Sequence, residues 1–158
     1  MRRFILLACA LLLSCAALAH DEQLLVGQWT CEHHFPTEQG LTLHFNYHQL
    51  FTAQGHFSVE GEIQMRLPGQ ELAYALDAAG NWSLQGDQLA LRTETSQFRP
   101  NNPAAQQLHD AGILNASDFD NMQGDDVFQI LALSRSRMQL EYHDAEIGDQ
   151  IQVECFKN

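Results

Sequence analysis

Leu41-Thr42-Leu43-His44-Phe45-Asn46-Tyr47-His48-Gln49-Leu50-Phe51 alternates with a period of two. The odd positions are apolar or aromatic except Gln49, and the even positions are polar except Leu50. That is the pattern of a strand with one buried face. Ala53-Gln54-Gly55 then predicts a turn. The following strand places Phe57, Val59, Ile63 and Met65 on one face and Ser58, Glu60, Glu62, Gln64 and Arg66 on the other. Gly61 falls on the apolar side, where a missing side chain permits a bend or a close neighbour.

The same rhythm extends in both directions. Upstream, Gly27-Gln28-Trp29-Thr30-Cys31 begins an earlier strand. Downstream, Leu67-Pro68-Gly69-Gln70 turns the chain into a strand carrying Leu72, Tyr74 and Leu76. Ala79-Gly80-Asn81 predicts a turn into Trp82-Ser83-Leu84, and Gln85-Gly86-Asp87-Gln88 a turn into Leu89-Ala90-Leu91. Beyond Phe98, Arg99-Pro100-Asn101-Asn102-Pro103 is a stop, and 104–114 read as a helix with Leu108 and Gly112-Ile113-Leu114 as its apolar side. Strands resume at Val127–Leu133, Met138–Tyr142 and Ile151–Cys155. Starts spaced by about ten residues predict an all-β, antiparallel up-and-down meander. Eight or nine strands suit a closed barrel, which leaves no edge exposed.

The first residues have a different character. Met1-Arg2-Arg3, the apolar run Phe4–Leu13 and Ala17-Leu18-Ala19 form the three parts of a secretory signal peptide, cleaved after Ala19. The run is too short and too promptly ended for a transmembrane anchor, which needs about 20 apolar residues. Leu12-Leu13-Ser14-Cys15 offers an alternative, a lipoprotein signal lipidated at Cys15. Cleavage after Ala19 makes residues 20–158 a single domain, periplasmic or secreted. Removing 19 of the 158 residues leaves 139, with Cys31 and Cys155 the remaining cysteines. A lone pair in an exported chain is most simply a disulfide, here joining first strand to last.

Charge narrows the partners. The chain carries a net charge of −12, and losing Arg2 and Arg3 with the signal makes it −14. Such a surface has no electrostatic reason to hold nucleic acid or an anionic membrane, but it attracts a basic protein.

Three stretches resemble the bacterial lipocalin-like families of the calycin group. Leu24-Leu25-Val26-Gly27-Gln28-Trp29 is similar to the G-x-W opening of the first lipocalin strand. Phe51–Phe57 with Gly80–Leu89 forms the second stretch, and Ile130–Leu140 resembles the penultimate hairpin. The resemblance implies a barrel able to hold a small apolar molecule, with Gly27 and Trp29 closing the narrow end. Two features depart from the family: the helix interrupts the meander instead of following it, and the arginine that covers the tryptophan has no evident counterpart.

The apolar faces nominate Phe45, Tyr47, Phe57, Val59, Ile63, Met65, Tyr74 and Trp82 as pocket lining, although a filled barrel needs the same residues as core. Among eight histidines, His20 becomes the N-terminus after cleavage, where amine and ring suit copper or zinc. His33 and His34 point to opposite faces, and His44 and His48 lie about 13 Å apart along one strand, too far to share an ion. Asp118–Asp126 is acidic but lacks the glycine of an EF-hand loop. No G-x-S-x-G, H-E-x-x-H or phosphate-cradling loop occurs, so no enzyme and no cofactor is expected. The leading expectation is an exported barrel for a small apolar ligand. A module for a basic protein and a copper or zinc binder built on His20 are the alternatives.

Overall fold

A computed structural model describes residues 22–36, 42–113, 124–143 and 150–158. The signal segment, His20 and most of the acidic stretch 118–126 lie outside them. The elements are α1 (Glu22–Leu25), β1 (Gly27–Pro36), β2 (Thr42–Phe51), β3 (His56–Leu67), β4 (Gln70–Gln85), β5 (Gln88–Pro100), α2 (Pro103–Asp110), β6 (Asp125–Leu133), β7 (Arg137–His143) and β8 (Gln150–Lys157). Each strand pairs antiparallel with the next, and β8 returns to β1, closing an eight-stranded up-and-down barrel.

The register follows from the alternation. Phe51 lies opposite Phe57, Tyr47 opposite Gly61 and Phe45 opposite Ile63, so the apolar faces of β2 and β3 coincide. A one-residue slip would turn every one of these side chains outward. Gly61 is needed at its position, because a Cβ there would lie 2.4 Å from Cβ of Tyr47.

Two expectations change. Ala79-Gly80-Asn81 is not a turn: β4 runs unbroken for 16 residues and pairs with both halves of its neighbour. The register shifts between Ala79 and Gly80 because Glu94 is an extra residue on β5, a bulge that bends the sheet. Gly80 permits this by close approach, since a Cβ would fall 1.9 Å from the carbonyl oxygen of Arg92. The helix is also shorter than 104–114. Strand β5 continues to Pro100, and α2 starts at Pro103, with the Asn102 side chain accepting from the Ala105 N–H at 2.9 Å. Proline suits the first helical position because the N–H it lacks has no partner there. Ala111 caps the other end, so Ile113 lies beyond the helix and is exposed, while Leu114 falls outside the described residues.

The interior is packed in two separate clusters. One fills the end around Trp29 and includes Phe51, Phe57, Trp82, Leu89, Met138 and Val153. The other joins Leu72 and Tyr74 to Ala105 of α2, with Met65 and Leu108 against them. The expected bridge between Cys31 and Cys155 is formed and fully buried within the first cluster. It closes a sequence separation of 124 residues, for which removal of a native disulfide costs about 2–5 kcal/mol. The Cys31→Ser, Cys155→Ser double variant will lose that much unfolding free energy, read from urea denaturation of both proteins.

Candidate functional site

One end of the barrel is built around Trp29, which is fully buried. Its indole N–H donates to the Leu25 carbonyl at 2.7 Å, so α1 folds beneath the ring. Gly27 precedes it with φ +132, a backbone conformation that favours glycine. Lys157 lies against this glycine and over the tryptophan. Its Nζ is 5.0 Å from the ring centroid and donates to the Leu24 carbonyl at 2.9 Å. The cation over Trp29 is therefore a lysine from the last strand, not an arginine. A signal was available, because Lys157 is the chain's one lysine and lies two residues beyond Cys155.

Further up the barrel the inward side chains become aromatic and polar. His33 stacks on Phe45, with centroids 4.4 Å apart and planes 8° from parallel, and meets Tyr47 edge-on at 6.0 Å. Its Nδ1 is buried and has no hydrogen-bond partner among the described residues. Desolvation, reinforced by the neighbouring His34 and His44, lowers the His33 pKa to about 4, so the ring is neutral at pH 7. Burial likewise pushes the Tyr47 hydroxyl above its ordinary range. Gln49, the polar break in the alternating stretch, is the buried polar residue of this wall. Across the barrel, burial raises the Asp126 carboxyl, opposed by a hydrogen bond from Tyr142.

The eight nominated lining residues do not share one environment. Phe57 and Trp82 belong to the packed cluster at the Trp29 end, and the Trp82 N–H donates to the Thr52 carbonyl at 3.1 Å. Tyr74 is buried and Met65 partly buried beside α2. Phe45, Tyr47, Val59 and Ile63 are only partly buried, Tyr47 and Val59 against the edge of the Trp29 cluster and Phe45 and Ile63 beyond it. His33 is not among the nominated lining residues, since the sequence presents it as half of the pair His33-His34, whose rings point to opposite faces. An open depression of about 610 Å³ runs along β3, β4 and β5. Ser58, Val59 and Glu60 of β3, Asp77, Ala78 and Ala79 of β4, and Thr95, Ser96 and Gln97 of β5 line it, so both faces of these strands contribute.

No family model and no curated protein matches the chain. Among solved structures it is similar to a redesigned β-barrel, mFAP1, bound to DFHBI, at 12% identity and a TM-score of 0.37, over 86% of this chain and 96% of that one. It is also similar to EF1p2_mFAP2b bound to DFHBI, at 14% identity and a TM-score of 0.36, over 90% and 98% of the two chains.

Two substitutions probe this geometry. Lys157→Ala removes a cation–π contact and a hydrogen bond, and will cost about 1–2 kcal/mol of stability in urea melts. His33 titrates near 6.5 when unfolded and near 4 when folded, so between those values the unfolded chain holds the extra proton. Stability is therefore lost as pH falls from about 6.5 to about 4. His33→Gln will shrink that loss by up to roughly 3 kcal/mol, measured as the change in urea midpoint between pH 7 and pH 4.

Proposed function

We propose that the protein is an exported lipocalin-like barrel that holds one small apolar molecule in the lumen between its two packed clusters. The observation that carries this reading is the split core. Inward positions Phe45, Tyr47, Val59, Ile63, Leu76 and Ala78 of β2, β3 and β4 retain accessible surface, whereas Phe51, Phe57 and Trp82 on one side of them and Leu72 and Tyr74 of β4 on the other are buried. A barrel filled by its own side chains would bury this level as completely as the others.

The chemistry of the wall suggests the ligand's character. Aromatic and aliphatic side chains supply apolar contact, and few polar groups supply orientation, as small-molecule sites generally do. His33 offers an unpartnered ring nitrogen and Tyr47 a hydroxyl at the same level. An apolar body bearing one hydrogen-bonding group fits that wall better than a pure hydrocarbon. Among the described residues no arginine or lysine faces the level, so the wall favours neutral ligands over carboxylates. Export by cleavage after Ala19 completes the proposal: the buried disulfide suits an oxidising compartment.

The test is titration with the neutral fluorescent probe N-phenyl-1-naphthylamine, on wild type and on Ala78→Trp. Ala78 faces inward opposite Val59 and Ser96, so an indole there occupies the lumen. Wild type will bind one probe per chain, and the variant will bind at least about tenfold more weakly with its urea midpoint retained. Equal binding by the two proteins would place the probe elsewhere. No binding by wild type would favour the acidic surface and a basic protein partner instead.

A further inference from the structure

Pairing of β1 with β2 sets His34 directly opposite His44, on the face opposite the lumen. Glu32 lies two residues before His34 and therefore on the same side of β1. The Nε2 atoms of His44 and His34 are 2.9 Å and 3.5 Å from one and the same oxygen, Oε1 of Glu32. The two rings are stacked, with centroids 4.2 Å apart and planes 12° from parallel. One ligand atom from each residue lies within 4.8 Å of the other two. His44 is the most covered of the three, while His34 and Glu32 are exposed enough to turn.

We propose that Glu32, His34 and His44 form a binding site for a divalent late transition metal on the outer wall, with zinc as its representative. Two imidazoles and a carboxylate are a donor set that zinc accepts, at about 2.0–2.2 Å from each ligand. Calcium and magnesium, which take oxygen ligands, are excluded by the same set. The ion replaces Oε1 as the meeting point of the two nitrogens. Rotation of the exposed His34 ring and Glu32 carboxylate about their terminal torsions brings their donors to an ion beside the more covered His44. A small depression of about 70 Å³, bordered by His34, His44, Thr42, Gln64, Arg66 and Glu71, adjoins the two histidines. It has room for the water that completes four-coordination.

The site also answers an electrostatic problem. Glu32 lies opposite Glu154 where β1 meets β8, and like charges directly across a strand pair are destabilising. Glu154 has Arg137 beside it, with Nε donating at 2.7 Å. Glu32 has histidines, which neutralise it only when protonated or when an ion sits between them. Reading along single strands misses this cluster, since its third ligand comes from across the ladder. It involves neither the lumen nor His20.

The experiment is a zinc titration of the full mature chain, free of added histidines, in competition with a chromophoric zinc chelator at pH 7.5. One zinc per chain is expected, and His44→Ala, His34→Ala and Glu32→Gln will each weaken it by at least about tenfold. His20→Ala and His48→Ala will leave it unchanged, and the three weakened variants will retain their far-ultraviolet circular dichroism. Zinc affinity lost with His20→Ala, or unaltered by His34→Ala and His44→Ala together, would overturn the proposal. So would absence of binding by wild type.

Discussion

The barrel depends on a seam of four residue pairs. Trp29, Thr30, Cys31 and Glu32 of β1 meet Lys157, Phe156, Cys155 and Glu154 of β8. The β1–β2 ladder has ten pairs and the β3–β4 ladder twelve, so the closing ladder is short. It is held by more than its ladder: the disulfide crosses its third pair and Lys157 covers Trp29. Asn158 adds bonds to the Gln28 carbonyl at 3.0 Å and the Thr30 hydroxyl at 2.7 Å. If this seam opened, β1 and β8 would become free edges, and the cluster around Trp29 would lose one wall. The covalent and cationic reinforcement is concentrated where the hydrogen-bond ladder is weakest.

That reinforcement also makes an unevenly filled interior tolerable. Trp29, Phe51, Phe57 and Trp82 pack one end to near completeness, with Phe51 edge-on to Trp82 at 5.7 Å. Helix α2 supplies Ala105 and Leu108 against Leu72 and Tyr74 at the other. Above Trp29 and its partner Gln49, the inward wall carries Tyr47 and then His33, whose Nδ1 is buried without a hydrogen-bond partner among the described residues, where a purely structural core would place aliphatics. Buried polar groups with unfilled hydrogen-bonding capacity are costly, and they persist where a ligand or water can satisfy them.

Much of this architecture was legible in the chain. Alternation from 42 to 51 and from 56 to 66 specified two strands and their shared face, because a one-residue slip would turn the apolar set outward, and the short turn between them fixed the register. The cysteine pair specified the closing contact. Ala79-Gly80-Asn81 reads as a turn because turns and close backbone approaches both use glycine, and only the neighbouring strand, with its bulge at Glu94, distinguishes them. Lys157 over Trp29 and Glu32 beside His34 and His44 escaped for a related reason. Each needs a contact across a ladder, Lys157 to Trp29 between β8 and β1 and His44 to the Glu32–His34 pair between β2 and β1, which a strand read by itself does not show. His33 escaped because the residues that desolvate it, Phe45 and Tyr47, belong to another strand.

The central claim is that the lumen is unfilled at its middle level. Methyl-resolved NMR tests it directly, by adding a small neutral apolar probe to protein labelled at valine, leucine and isoleucine. The account predicts shifts at Val59, Ile63 and Leu76, with Leu25 and Leu89 in the packed end unmoved. Shifts confined to the exposed Leu50, Val127 and Leu131, or none at all, would contradict it.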